Sequence, residues 1–209
     1  MDDLKRQLAK WIDEDRDTII AFLCDFVRAK SPNPPGDTTL AATHIMRFLE
    51  TRGLPFRVIA PQITMPNIVG TFEGRGPGRH LVLNGHIDVF PADEQNEPWT
   101  HGPWSGAIAD SKIYGRGVND MKAGTSASIF TYAYLYRIRE HLKGRLTLTA
   151  VSDEETFGTW GARYLMEHHP EVHGDCLLNG EPSSPLTIRF GEKGRHGADR
   201  RARLRSRST

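Results

Sequence analysis

The sequence predicts an α/β fold, a layered sheet with helices on both faces. Three observations carry that expectation. Short apolar runs closed by glycine or polar residues alternate with longer segments of helical periodicity. Hydrophobic residues make up 38% and charged residues 25% of the 209-residue chain, the balance of a globular protein rather than a disordered one. The chain is also long enough for one domain with a sizeable core, or for a domain and part of a second.

The elements follow in order. Leu4, Leu8, Trp11, Ile12, Ile19, Ile20, Leu23 and Phe26 recur at helical spacing, so the amino-terminal segment is expected to be helical. Ser31-Pro32-Asn33-Pro34-Pro35-Gly36 ends it, because proline blocks helix continuation and glycine permits turns. A second helix fits Thr39 to Thr51 and stops at Gly53. Phe56–Ile59, Asn67–Phe72 and Leu81–Asn84 read as strands, the last closed by Gly85. A polar and aromatic loop spans about Phe90 to Gly106, a length that often signals function. Met121 to Leu142 reads as a helix, Arg145–Val151 as a strand, Trp160 to His168 as a helix and Cys176–Asn179 as a strand. No internal repeat is visible.

Composition excludes some classes. No apolar run approaches the roughly 20 residues of a membrane span. No apolar core of a signal peptide follows Met1-Asp2-Asp3-Leu4-Lys5-Arg6, so a cytoplasmic location is the default expectation. Cys24 and Cys176 sit in apolar patterns and read as buried, reduced thiols, not as a cysteine metal site. The formal charge of +1 conceals a basic end: residues 195–209 hold six arginines and one aspartate. Such a tail can contact nucleic acid or membranes, but here neither partner is expected.

Candidate chemistry gathers where the strands end. His86 and Asp88 follow the strand Leu81–Asn84, Asp153-Glu154-Glu155 follow Arg145–Val151, and Glu181 follows Cys176–Asn179. Asp120 follows Tyr114-Gly115-Arg116-Gly117 and precedes a helix. Each has an ordinary explanation when taken singly: a surface turn, a helix cap, or carboxylates at the positive end of a helix. Together they form a constellation, because ligand sites in open α/β sheets lie outside the carboxyl ends of strands. Histidine, aspartate and glutamate suit Zn²⁺, Co²⁺ or Mn²⁺. Paired ions need a bridging carboxylate and jointly lower the pKa of a shared water. In His-x-Asp, the aspartate can hold the second ring N–H and fix the tautomer. Adjacent glutamates can divide labour between metal binding and general base catalysis.

These motifs resemble the M20 family of metallohydrolases, which includes acetylornithine deacetylase, succinyl-diaminopimelate desuccinylase, aminoacylase-1 and glutamate carboxypeptidase. The matching stretches are Leu83-Asn84-Gly85-His86-Ile87-Asp88-Val89, Tyr114 to Gly124, Ser152-Asp153-Glu154-Glu155 and Asn179-Gly180-Glu181-Pro182-Ser183, in that order. The tryptophan-rich segment Trp99 to Gly106 is also similar. The resemblance implies two divalent metal ions, with His86, Asp120, Glu155 and Glu181 as ligands and Asp120 as the bridge. It implies Asp88 as the orienting residue, Glu154 as general base, and a cis peptide at Asp120–Met121. The implied reaction is hydrolysis of the amide bond of an N-acyl amino acid. The alternatives are a dipeptidase or carboxypeptidase of the same family, and a catalytically inactive remnant.

The resemblance places residues 1–194 as the amino-terminal part of the catalytic domain and residues 195–209 as a basic tail, expected to be disordered or the product of a frameshift. Family members are commonly longer. They carry a lid and dimerisation domain after the Gly-Glu-Lys-Gly seen here as Gly191 to Gly194, a late histidine for the second metal, and often form homodimers. Neither part is found in this sequence, so the expectation is weak or no turnover by this chain alone. His44, His101, His168 and His169 lack motif context and read as surface or packing residues.

Overall fold

The computed structural model describes residues 2–184 and 186–188; the tail at 195–209 lies outside them. Five strands form a mixed sheet in the order β1-β2-β6-β3-β7. These are β1 (Arg57–Ile59), β2 (Asn67–Glu73), β3 (His80–His86), β6 (Arg145–Val151) and β7 (Cys176–Asn179). β3 runs parallel to both β6 and β7, with His86 opposite Val151 and Asn84 opposite Asn179. β2 is antiparallel to β6, and β1 to β2. The carboxyl ends of β3, β6 and β7 therefore emerge on one side.

Helices cover both faces, as expected. The helices α1 (Asp2–Glu14), α2 (Arg16–Arg28), α3 (Thr39–Thr51) and α4 (Ala123–Arg137) share one core with Ile68, Phe72, Leu83, Leu148 and Ala150 of the sheet. Val69 and Val151, one residue along their strands, point to the other face and meet Leu165 of α5 (Ala162–His168). The amino-terminal periodicity resolves into two helices, broken at Asp15, whose carboxylate accepts a 3.0 Å hydrogen bond from the Tyr134 hydroxyl. His44 packs between Phe22 and Phe26, with ring centroids at 4.3 and 5.6 Å.

Several expectations needed adjustment. Gly85 lies inside β3 rather than closing it. α4 passes so near that a Cβ there would sit 3.1 Å from Thr125 Cα, which explains the glycine. The long loop is followed by a small hairpin, β4 (Ala107–Ala109) and β5 (Lys112–Tyr114), that the sequence reading did not identify. Its turn is Asp110-Ser111, both left-handed at φ 49° and 59°, a primed turn without the usual glycine. Asp120 thus follows this hairpin and not a strand of the main sheet. The helix expected at Met121 to Leu142 begins regularly only at Ala123, after the irregular turn Val118–Lys122. Cys24 is buried, but Cys176 is exposed because β7 is an edge strand. No helix among the described residues is long and apolar enough to cross a membrane.

Candidate metal centre

The carboxyl ends of β3, β6 and β7 bring five of the six candidate residues to one place, and the turn before α4 supplies the sixth. His86 ends β3 and is buried. Its Nδ1 lies 2.9 Å from the main-chain carbonyl oxygen of Asp88. A carbonyl only accepts, so Nδ1 carries a proton and Nε2 is the atom left to face the site. Nε2 lies 3.0 Å from Asp120 Oδ1, 3.6 Å from Glu181 Oε2 and 3.8 Å from Glu154 Oε2. Ligand atoms of His86, Asp120 and Glu155 all lie within 4.8 Å of one another.

The Asp88 carboxylate lies 3.5 Å from His86 Nδ1, and the Asp88 carbonyl, at 2.9 Å, is the nearer acceptor for that N–H. The carboxylate accepts 3.2 and 3.0 Å bonds from the backbone N–H groups of Glu154 and Glu155, and a 2.8 Å bond from Asn33 Nδ2. One buried side chain therefore ties the histidine strand to the glutamate turn. Burial opposes its charge, yet His86 and Asn33 hold its pKa below the usual carboxylate range.

Asn33 was read only as part of a helix-ending turn. Its buried amide also reaches Asp153 Oδ1 at 3.1 Å and Thr156 Oγ1 at 3.2 Å. Asp153 is left-handed at φ 71°, a conformation aspartate tolerates, and its carboxylate also accepts from the N–H of Trp160 and the Thr156 hydroxyl. This turn aims Glu154 and Glu155 back toward His86. The signal for Asn33 was present, a polar residue inside the proline-rich run, but nothing local in sequence marks a partner 55 residues away.

Glu181 reaches the site because Gly180 and Gly124 touch backbone to backbone; a Cβ on Gly180 would lie 2.8 Å from Gly124 Cα. The Asp120–Met121 peptide is cis, as the resemblance implied. Lys122, two residues on, is fully buried. Its Nζ donates 2.8 Å bonds to the carbonyls of Phe26 and Ala29, closing the end of α2. Burial lowers its pKa to about 7, against the opposing pull of Asp88. Lys122 is a second buried group that sequence reasoning passed over.

The electrostatics fit a cation. Burial alone would lower the His86 pKa, but Asp88, Glu181 and Glu154 raise it to about 11. Glu154 is pushed up by burial and by Glu181, Asp88 and Asp120, partly offset by His86. Glu155 is pushed up by burial and by Asp120, Asp88 and Glu154, again offset by His86. Four carboxylates crowd one imidazole, and the proton on that imidazole holds a position where a divalent ion would satisfy the same oxygens better. The donor set is therefore that of a metal site: one imidazole nitrogen and hard carboxylate oxygens from four separate segments.

Comparison with known proteins agrees with this geometry. The chain is 34% identical over 180 residues to a succinyl-diaminopimelate desuccinylase of Gluconacetobacter diazotrophicus, covering 81% of this chain and 45% of that protein. It thus spans less than half the length of that curated relative. Its fold matches an M20 family metallo-carboxypeptidase of Sulfolobus solfataricus with a TM-score of 0.64 at 20% identity, covering 78% of this chain and 37% of that one. It also matches a dinuclear metal-binding M20 peptidase of Bacillus subtilis, with a TM-score of 0.54 at 21% identity, covering 78% and 43%. The profile of peptidase family M20/M25/M40 matches residues 82–194, the stretch that holds His86, Asp88, Asp120, Glu154, Glu155 and Glu181, and the chain belongs to that family.

Proposed function

We propose that this chain is the metal-bearing part of an amidohydrolase that cleaves N-acyl amino acids with water activated between two divalent ions, Zn²⁺ or, alternatively, Co²⁺ or Mn²⁺. The observation that carries the reading is the convergence of the His86, Asp120 and Glu155 ligand atoms within 4.8 Å, with Glu154 and Glu181 beside them. His86 and Glu181 would hold the first ion, Glu155 the second, and Asp120 both. Bound ions of this kind polarise an amide carbonyl and lower the pKa of water toward neutrality.

The chain's own residues do the rest. Glu154 accepts the proton of the attacking water and returns it to the leaving nitrogen; a carboxylate with a raised pKa is suited to both transfers. Asp88 keeps His86 in the tautomer that presents Nε2 and holds the backbone of Glu154 and Glu155 in place. The desuccinylase relative supports an N-succinyl amino acid as substrate, with an N-acetyl amino acid as the other N-acyl candidate. A homodimer for the full-length protein only, since the dimerisation domain is missing from this sequence, a cytoplasmic location and the domain division at 194 belong to the same reading.

The test is a metal titration with amide hydrolysis followed over N-acetyl and N-succinyl amino acids, on this chain and on a longer version restored to the length of its relatives. Two ions per chain in the longer version, and turnover lost in Glu154→Gln with metal retained, are the expected results. A chain that takes up no metal would sink the proposal.

A further inference from the structure

The proline-rich segment between α2 and α3 lies along the exit of β3. Pro32 bridges in parallel to Val89, beyond the last residue of that strand. The Asn33 N–H donates to the Val89 carbonyl at 2.9 Å, and the Val89 N–H to the Ser31 carbonyl at 3.0 Å. The Ser31 hydroxyl donates to the Ile87 carbonyl at 2.7 Å. These bonds fix the main chain of residues 87–90, and the Phe90 N–H in turn donates to Glu155 Oε1 at 2.9 Å. The backbone of Asn33 is thus held on the histidine strand, while its side chain crosses to the glutamate turn.

Two buried carboxylates meet that side chain. Asp88 and Asp153 are 0% and 2% exposed, and Asn33 is 2% exposed. Asn33 Nδ2 lies 2.8 Å from Asp88 Oδ2 and 3.1 Å from Asp153 Oδ1. An amide nitrogen carries two N–H groups, enough to give one to each carboxylate. The third partner, Thr156 Oγ1, is the most distant at 3.2 Å. Like charges repel strongly away from water, so a donor shared between them fixes how far apart they sit. Asp88 holds the N–H groups of Glu154 and Glu155, and Asp153 begins their turn. None of the three partners of the Asn33 amide is a candidate metal ligand.

We infer that Asn33 is a positioning residue for Glu154: its amide sets the spacing between the His86 strand and the Glu154–Glu155 turn, and through it the aim of the general base. This deepens the proposed function and rests on it. Asn33→Asp keeps the size of the side chain and puts an oxygen where both carboxylates need a donor. Asn33→Ala removes the donor altogether. A misplacement of 1 Å at a reacting group can cost about 100-fold in rate, and the ions, whose ligands are untouched, should stay bound.

The experiment compares wild type with both variants in two arms. In the metal-free chain, amide hydrogen exchange at Glu154 and Glu155 should quicken by about tenfold more than at Leu83 and Leu148, which pair in the centre of the sheet. In the zinc-loaded longer version, kcat for an N-succinyl amino acid should fall by about 100-fold, with KM within about twofold of wild type and zinc content unchanged. Equal quickening at the turn and at Leu83 and Leu148 overturns the inference, because Asn33 then serves folding as a whole. Unchanged exchange at the turn or an unchanged kcat overturns it too, as does a loss of zinc that matches the loss of kcat. A wild-type longer version that takes up no zinc sinks the proposed function, and the exchange arm then decides by itself whether Asn33 sets the turn.

Discussion

The two halves of the candidate metal centre are built on opposite terms. On the inner side, His86 and Asp88 are 1% and 0% exposed, and almost every polar atom is held by a named partner. On the outer side, Asp120 and Glu154 are 54% and 55% exposed and face one another with like charge. The inner half is pre-organised by hydrogen bonds that folding itself forms. The outer half is a concentration of negative charge that folding tolerates because an imidazolium, or a cation, sits among it. Loss of an inner residue should therefore cost folding, and loss of an outer one should cost only metal.

The largest expected effect comes from the inner half. Asp88→Ala removes the buried carboxylate beside His86 and leaves two backbone N–H groups without their acceptor and the Asn33 amide without one of its three. A stability loss of about 3–5 kcal/mol is expected, measured by urea denaturation of the metal-free protein. A loss below about 1 kcal/mol would break the comparison. The outer half should respond in the opposite way. Asp120→Asn removes a ligand and a repulsion together, so zinc affinity should fall by more than about 100-fold, since even residues that merely orient a ligand are worth ~10–100-fold. Metal-free stability should stay within about 0.5 kcal/mol of wild type. Chelator competition and denaturation on one sample separate the two.

The pH dependence sharpens the contrast. The His86 pKa is raised to about 11, so its contribution to stability is complete below the unfolded value of 6.5 and is lost as pH rises toward 11. The Lys122 pKa is lowered to about 7, so its contribution is complete above 10.5 and is lost as pH falls toward 7. Between about pH 7 and 10 the two run in opposite directions, and the metal-free protein should be nearly level in stability. Lys122→Met removes the rising part and should uncover a decline with pH, read as a falling Tm. Saturating zinc should remove that decline by replacing the His86 proton. The smallest effect is expected at the sheet edge. Leu178 is exposed on β7, so Leu178→Lys should change stability by less than about 0.5 kcal/mol while reducing self-association in light scattering.

What the sequence revealed follows the range of the forces involved. β6 and β7 match their expected limits, because a buried or edge strand announces itself in consecutive residues. The candidate metal ligands were legible because each sits in a short motif at a strand end or before a helix. Asn33 and Lys122 were missed for one reason: their partners lie 55 and 96 residues away, and no local pattern encodes a contact made by folding. The β4–β5 hairpin escaped because three-residue strands carry too little alternation, and Asp110-Ser111 lacks the glycine that signals such a turn.

The amine of Lys122 has a consequence for how the protein can be cut and rebuilt. It joins the last carbonyls of α2 to the segment that carries Asp120, so the amino-terminal helices brace that segment from behind. A version shortened to begin after Arg28 would keep every candidate metal-binding side chain and still lose the buttress behind one of them. Any shortened version that keeps this buttress has to start at α1 or α2, well upstream of His86, the first candidate ligand.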